Sequence, residues 1–171
     1  MMAALVEADM KNGTIGLSTG LEYEPGIFSE TDEVIELAKV AASFGGRYMS
    51  HVRDEDDLQM DAFDEVIRIG REARLPVHLP HIKLADRDFW GTTDDVIEKL
   101  NAARDEGVQV STDIYPYQRW ASNLAVLFPA RDYSDRSVAD FTFAHTAAPE
   151  DILLSHYGPN PEFNGLNVAE I

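Results

Sequence analysis

Two periods of hydrophobicity take turns along this chain. Short runs with the alternation of a strand are followed by longer runs with the 3.6-residue repeat of an amphipathic helix. The opening residues, with their short apolar stretch, read as the last turns of a helix stopped at Asn12-Gly13. A strand is expected over 14–19, then a turn at Glu24-Pro25-Gly26. Ser29 and Asp32 stand in the S-x-x-D spacing of a helix start, and Val34, Leu37, Ala38, Ala41 and Phe44 mark the buried face of that helix. Gly45-Gly46 ends it, and 47–52 is the next strand. Phe63, Val66, Ile67, Gly70 and Ala73 form a second helix face. Pro76 opens a strand over 76–82. Thr92 caps a third helix with Val96, Leu100 and Ala103 inside and Gly107 past its end, and 108–114 is a fourth strand.

The strands start close to thirty residues apart each time. That is the length of one βα unit, and consecutive units build a parallel sheet. Beyond Tyr115 the pattern loosens into an aromatic, proline-broken loop through Trp120. A helix over 135–146 and a short strand over 152–155 are expected there, with a new helical turn starting at Val168. The composition shows neither linker nor low-complexity segment, and gives no domain boundary.

Apolar residues make up 44% of the 171 and charged residues 26%, which is the balance of a globular chain. No apolar run approaches the roughly 20 residues that span a bilayer, so no membrane association is expected. Thirty-one acids against fourteen bases leave a net charge of −17, which argues against nucleic acid as a partner, because phosphate binding needs clustered Lys and Arg. The absence of cysteine excludes disulfides and thiolate ligands within these residues and fits a cytoplasmic protein.

In parallel barrels the chemistry gathers at the C-terminal strand ends. Here those ends carry Ser18-Thr19, His51-Val52-Arg53, His81-Ile82-Lys83 and Asp113-Ile114-Tyr115. His51 and His81, one βα unit apart, are expected to project from neighbouring strands into one space. Neutral imidazoles are good zinc ligands, so two of them begin a catalytic metal site, while each could equally be a hydrogen-bonded polar residue at a strand end. Strand parity places His78 on the opposite face from His81 and assigns it to packing or a structural hydrogen bond. His145 and His156 have no partner motif and are read as non-ligands. Arg53 and Lys83 could hold a substrate carboxylate. Arg53 could instead pair within the acidic run Asp54-Glu55-Asp56-Asp57, which itself reads as a solvated loop and helix N-terminus.

Five motifs in order along the chain resemble the N-acyl-D-amino-acid deacylases (D-aminoacylases) of the amidohydrolase superfamily. They are Gly16-Leu17-Ser18-Thr19-Gly20-Leu21 with Tyr23 and Pro25-Gly26; Tyr48 to Glu55 around His51; Pro76 to Lys83 around His81, with Pro80 where serine is usual; Asp113-Ile114-Tyr115-Pro116-Tyr117; and Asn160 to Gly165 near the end. The resemblance implies a (β/α)8 barrel. It implies that His51 and His81 are the metal histidines after the fifth and sixth strands, with zinc as cofactor. Lys83, and with it Tyr23, Arg53 and Tyr115, would face a small-molecule N-acyl amino acid.

The family's His-x-His pair and cysteine ligand precede this region, and its base aspartate follows it. The whole of 1–171 is therefore expected to form the central segment of a metal-dependent amidohydrolase barrel domain, about strands 4 to 7, with no catalytic base of its own and no amidase activity in isolation. Another amidohydrolase activity, on cyclic amides or dihydropyrimidines, and a non-catalytic truncated chain are the alternatives. Glu22, where an aromatic residue is frequent, and Gln118-Arg119-Trp120, in place of a small hydroxyl-rich run, depart from the family pattern.

Overall fold

A computed structural model describes residues 1–128 and 134–171. They group into two compact units, Met1–Leu84 with Gly91–Arg119, and Ala85–Trp90 with Trp120–Ile171.

The first unit is a four-stranded sheet of β1 (Gly16–Gly20), β2 (Arg47–His51), β3 (Val77–Leu79) and β4 (Val110–Thr112). The strands lie side by side in chain order, and every pairing is parallel. Helices α1 (Met2–Lys11), α2 (Thr31–Ser43), α3 (Gln59–Ala73) and α4 (Thr93–Asp105) accompany them. An unreversed strand order, with one helix in each crossover, is the arrangement of successive units of a βα barrel.

The expected helix faces are buried except at the end of α2, where Phe44 lies past the last helical residue and is 42% exposed. Val34, Ile35 and Ala38 of α2, Phe63, Val66, Ile67 and Ala73 of α3, and Val96, Leu100 and Ala103 of α4 meet Tyr48, Val77, Leu79 and Val110 from the sheet. Burying an apolar side chain of this size removes it from water at a gain of about 1.5–3 kcal/mol. The core therefore fixes which strand residues point to the helices, and by alternation which point away from them. Met49, on the other face of β2, is 40% exposed. Gly16 is required where β1 meets β2, because a Cβ there would lie 2.1 Å from the Arg47 carbonyl oxygen.

Three local readings are corrected. Ser29 is not the cap of α2: its hydroxyl donates to the Gly26 carbonyl and closes a 3-10 turn, Gly26–Phe28, so α2 starts after Glu30. The acidic run is not the first turn of α3, which begins at Gln59; Glu55 and Asp56 are buried instead. Strand β3 stops at Leu79, before Pro80, which has no N–H to donate to a ladder.

The second unit contains α5 (Arg136–His145), capped by the Asp135 carboxylate, which accepts from the Ser137 N–H. Residues 152–155 form no strand. A single antiparallel bridge joins Leu153 to Asn167, because the facing chain turns at Gly165, whose φ is +88°, and coils into the 3-10 turn Val168–Glu170. His145 pairs with Asp88 at 2.7 Å and stacks on Phe141. Among the described residues no helix is long and apolar enough to cross a membrane.

Candidate metal centre

His51 is the last residue of β2, and its side chain leaves from the strand's C-terminal end. His81 follows β3 in a left-handed conformation, φ +43°, which a non-glycine residue adopts only when its surroundings hold it there. The restraint comes from the end of β4. The His81 N–H donates to Asp113 Oδ1 at 2.6 Å, and the Ile82 N–H donates to the Asp113 carbonyl at 2.9 Å. So held, His81 turns Nε2 toward Nδ1 of His51, 3.2 Å away.

That distance is informative. Two nitrogens about 2.05 Å from one tetrahedral zinc lie roughly 3.3 Å apart. A carboxylate oxygen of Glu55 joins the pair, and the three ligand atoms fall within 4.8 Å of one another. On the far side of the His51 ring, Nε2 lies 2.6 Å from Glu22 Oε2, and the Glu22 side chain is only 2% exposed. Glu22 reaches this position because the loop after β1 continues the pairing: the Leu21 N–H donates to the His51 carbonyl, and buried Leu21 anchors it. Two imidazoles and a carboxylate, backed by a second carboxylate on an imidazole edge, are a donor set suited to zinc.

Lys83 completes the cluster. Its ammonium donates to Glu55 Oε1 at 2.5 Å, lies 3.1 Å from His81 Nδ1, and sits 6.0 Å from the centre of the Tyr115 ring. Burial first, then the Lys83 charge, push the His81 imidazole below its ordinary value and so favour its neutral form. Burial, and then Glu55, push the Tyr115 phenol above its ordinary value and keep it a hydrogen-bond donor. The Tyr23 ring packs 4.8 Å from that of His51.

The structure thus gathers His51, His81, Tyr23, Lys83 and Tyr115, but not Arg53. Parity would put Arg53 beside His51; β2 ends at His51, and Arg53 swings to α3 instead. There Glu65 takes its Nε and one terminal nitrogen at 2.9 and 2.8 Å, and the Ile27 carbonyl takes the other. The pairing alternative holds in kind, with Glu65 rather than the adjacent acids as partner.

The parity argument for His78 also fails. His78 is in register with Met49, which shares a face with His51, so His78 lies on the same face as His51. What separates it is depth along the strand: its ring nitrogens are engaged by Ser111 at 2.9 Å and Asp113 at 2.8 Å. Glu22 and Glu55 were not expected here. Glu22 carried a signal, a carboxylate standing where the family pattern favours an aromatic ring, and Glu55 had one in standing four residues after His51.

No family model matches the chain. An N-acyl-D-glutamate deacylase of Alcaligenes xylosoxydans xylosoxydans is 36% identical over all 171 residues, which span 31% of that relative. A D-aminoacylase of the same organism is 37% identical over 116 residues, covering 68% of this chain and 24% of the relative. Among solved structures, the N-acyl-D-glutamate deacylase from Bordetella bronchiseptica, complexed with zinc and a phosphonate mimic of the tetrahedral intermediate, superposes with a TM-score of 0.80. It is 30% identical, over 99% of this chain and 32% of that one. A D-aminoacylase that defines a subset of amidohydrolases superposes with a TM-score of 0.74 at 28% identity, again over 99% of this chain and 32% of its own. The chain accordingly spans about a third of the relatives that it matches from end to end. With a parallel four-stranded sheet that overlays part of their barrels, and with the expected motifs in order, these 171 residues belong as a partial chain to the N-acyl-D-amino-acid deacylase (D-aminoacylase) family of amidohydrolases.

Proposed function

We propose that the full-length protein hydrolyses the amide bond of N-acyl-D-amino acids, that His51 and His81 hold a zinc ion, and that these residues form the middle of its barrel domain. The observation that carries this reading is the 3.2 Å separation of His51 Nδ1 and His81 Nε2 at adjacent parallel strand ends. The unreversed sheet order and the relatives' shared activity on N-acyl-D-amino acids support it.

Zinc in this position supplies Lewis acidity toward the scissile carbonyl and the attacking water. The chain's own residues orient the substrate. Lys83 presents a fixed positive charge beside the histidines and, exchanging Glu55 for a substrate carboxylate, sets the acyl amide against the centre. The Tyr115 hydroxyl, kept protonated, offers a donor at the same edge, and the Tyr23 ring forms a wall against His51. Arg53 acts at one remove, by tying the loop after β2 to α3 through Glu65. We assign the general base to none of the described residues.

The test is hydrolysis, by the zinc-loaded full-length protein, of N-acetyl-D-amino acids with acidic and neutral side chains. Their L-enantiomers and a cyclic imide serve as comparators. Turnover confined to the D-series and lost on chelation is the expected result. Preference for the cyclic imide would move the protein to another amidohydrolase activity.

A further inference from the structure

The geometry points to Glu22 as the positioning residue that fixes the ring orientation and tautomer of His51, so that Nδ1, and not Nε2, faces the space shared with His81. This rests on the metal reading above for its purpose, but not for its geometry.

Each imidazole carries one proton when neutral, and whichever nitrogen holds it cannot bind a metal. For His51 the two nitrogens face different partners. Nε2 is 2.6 Å from Glu22 Oε2, and Nδ1 is 3.2 Å from His81 Nε2. A carboxylate accepts and does not donate, so Glu22 holds the proton on Nε2 and leaves the Nδ1 lone pair directed at His81. The carboxylate is itself well fixed. It is 2% exposed in its side chain and sits one residue after Leu21, whose N–H is bonded to the His51 carbonyl. Glu55 also approaches His51 Nε2, but at 3.9 Å, beyond hydrogen-bond reach, and its Oε1 is occupied by Lys83. Glu22 is therefore the acceptor that holds the proton on His51 Nε2.

The experiment compares the protein with E22A and E22Q, free of metal and at a pH where imidazole is neutral, by the ¹⁵N shifts of His51. Zinc affinity is measured alongside by competition with a chromophoric chelator. Expected are a single Nε2–H tautomer in the protein and in E22Q, whose amide oxygen still accepts, and a mixture of tautomers in E22A. The zinc Kd should rise roughly 10–100-fold in E22A and stay within about threefold of the unsubstituted value in E22Q. An E22A variant that keeps the single Nε2–H tautomer overturns the inference, as does an Nδ1–H form in the unsubstituted protein. Failure of the unsubstituted protein to bind zinc, or binding unchanged in H81A, removes the metal reading instead. The tautomer measurement then decides the role of Glu22 alone.

Discussion

Nδ1 of His51 and Nε2 of His81 face each other at 3.2 Å, although the two residues reach that point by different routes. His51 is carried there by β2 itself; His81 lies beyond the end of β3 and is turned inward by a left-handed backbone that Asp113 restrains.

Asp113 should therefore matter to the centre without touching it. Asp113→Ala removes the acceptor of the His81 N–H and one partner of His78, with an expected cost of about 1 kcal/mol in stability. It should also weaken zinc binding roughly tenfold or more. Asp113→Asn, which keeps an acceptor oxygen for the His81 N–H, should lie between. Urea unfolding and zinc competition on the same samples check both effects.

Arg53 separates scaffold from substrate. Its fork with Glu65 is partly buried, so Arg53→Ala should cost about 1.5–3 kcal/mol and leave a poorly partnered carboxylate on α3. Zinc affinity should change less than about threefold, since no Arg53 nitrogen is bonded to either histidine. Thermal unfolding and a zinc titration of R53A are the measurements. A large drop in zinc affinity with unchanged stability would move Arg53 into the centre.

How far this architecture is legible from the sequence depends on the length scale. The α3 face reads correctly, because a 3.6-residue period in Phe63, Val66, Ile67 and Ala73 leaves one way to bury them, whereas Phe44 falls past the end of α2 and is exposed. The thirty-residue repeat gives the strand order, and it brings His51 and His81 together. Strand parity gives the wrong account of Arg53 and His78, because parity lasts only as long as the strand, and β2 and β3 end at His51 and Leu79. Glu22 and Glu55 lie in loops whose direction no periodicity encodes. Glu55 reads as part of a solvated acidic run until the fold buries it.

Asp54 gives a pH dependence with a definite sign. Burial, outweighing the N–H bonds from Asp56 and Leu58, raises its carboxyl above the ordinary value. A raised carboxyl destabilises the fold at pH values above its folded pKa, and the penalty disappears below the unfolded value of about 3.9. Asp54→Asn keeps an oxygen for both N–H groups. It should raise Tm at pH 7, and the gain should shrink toward zero as pH falls below 4. Calorimetry across pH 3.5–7 reads this directly; a gain that grows on acidification would reverse the assignment.

Metal removal should be visible as stability. With zinc at about 100 times its Kd the fold should gain about 2.7 kcal/mol, reversed by a chelator. The gain should vanish in H51A and H81A but persist in H78Q, whose lost bonds to Ser111 and Asp113 lie apart from the two facing nitrogens.

The most direct test is anomalous scattering at the zinc edge from crystals of the full-length protein. The account predicts a peak between His51 Nδ1 and His81 Nε2, about 2.0–2.1 Å from each, with Glu22 still bonded to His51 Nε2. A zinc peak elsewhere, with the two imidazoles bonded only to each other, would contradict it.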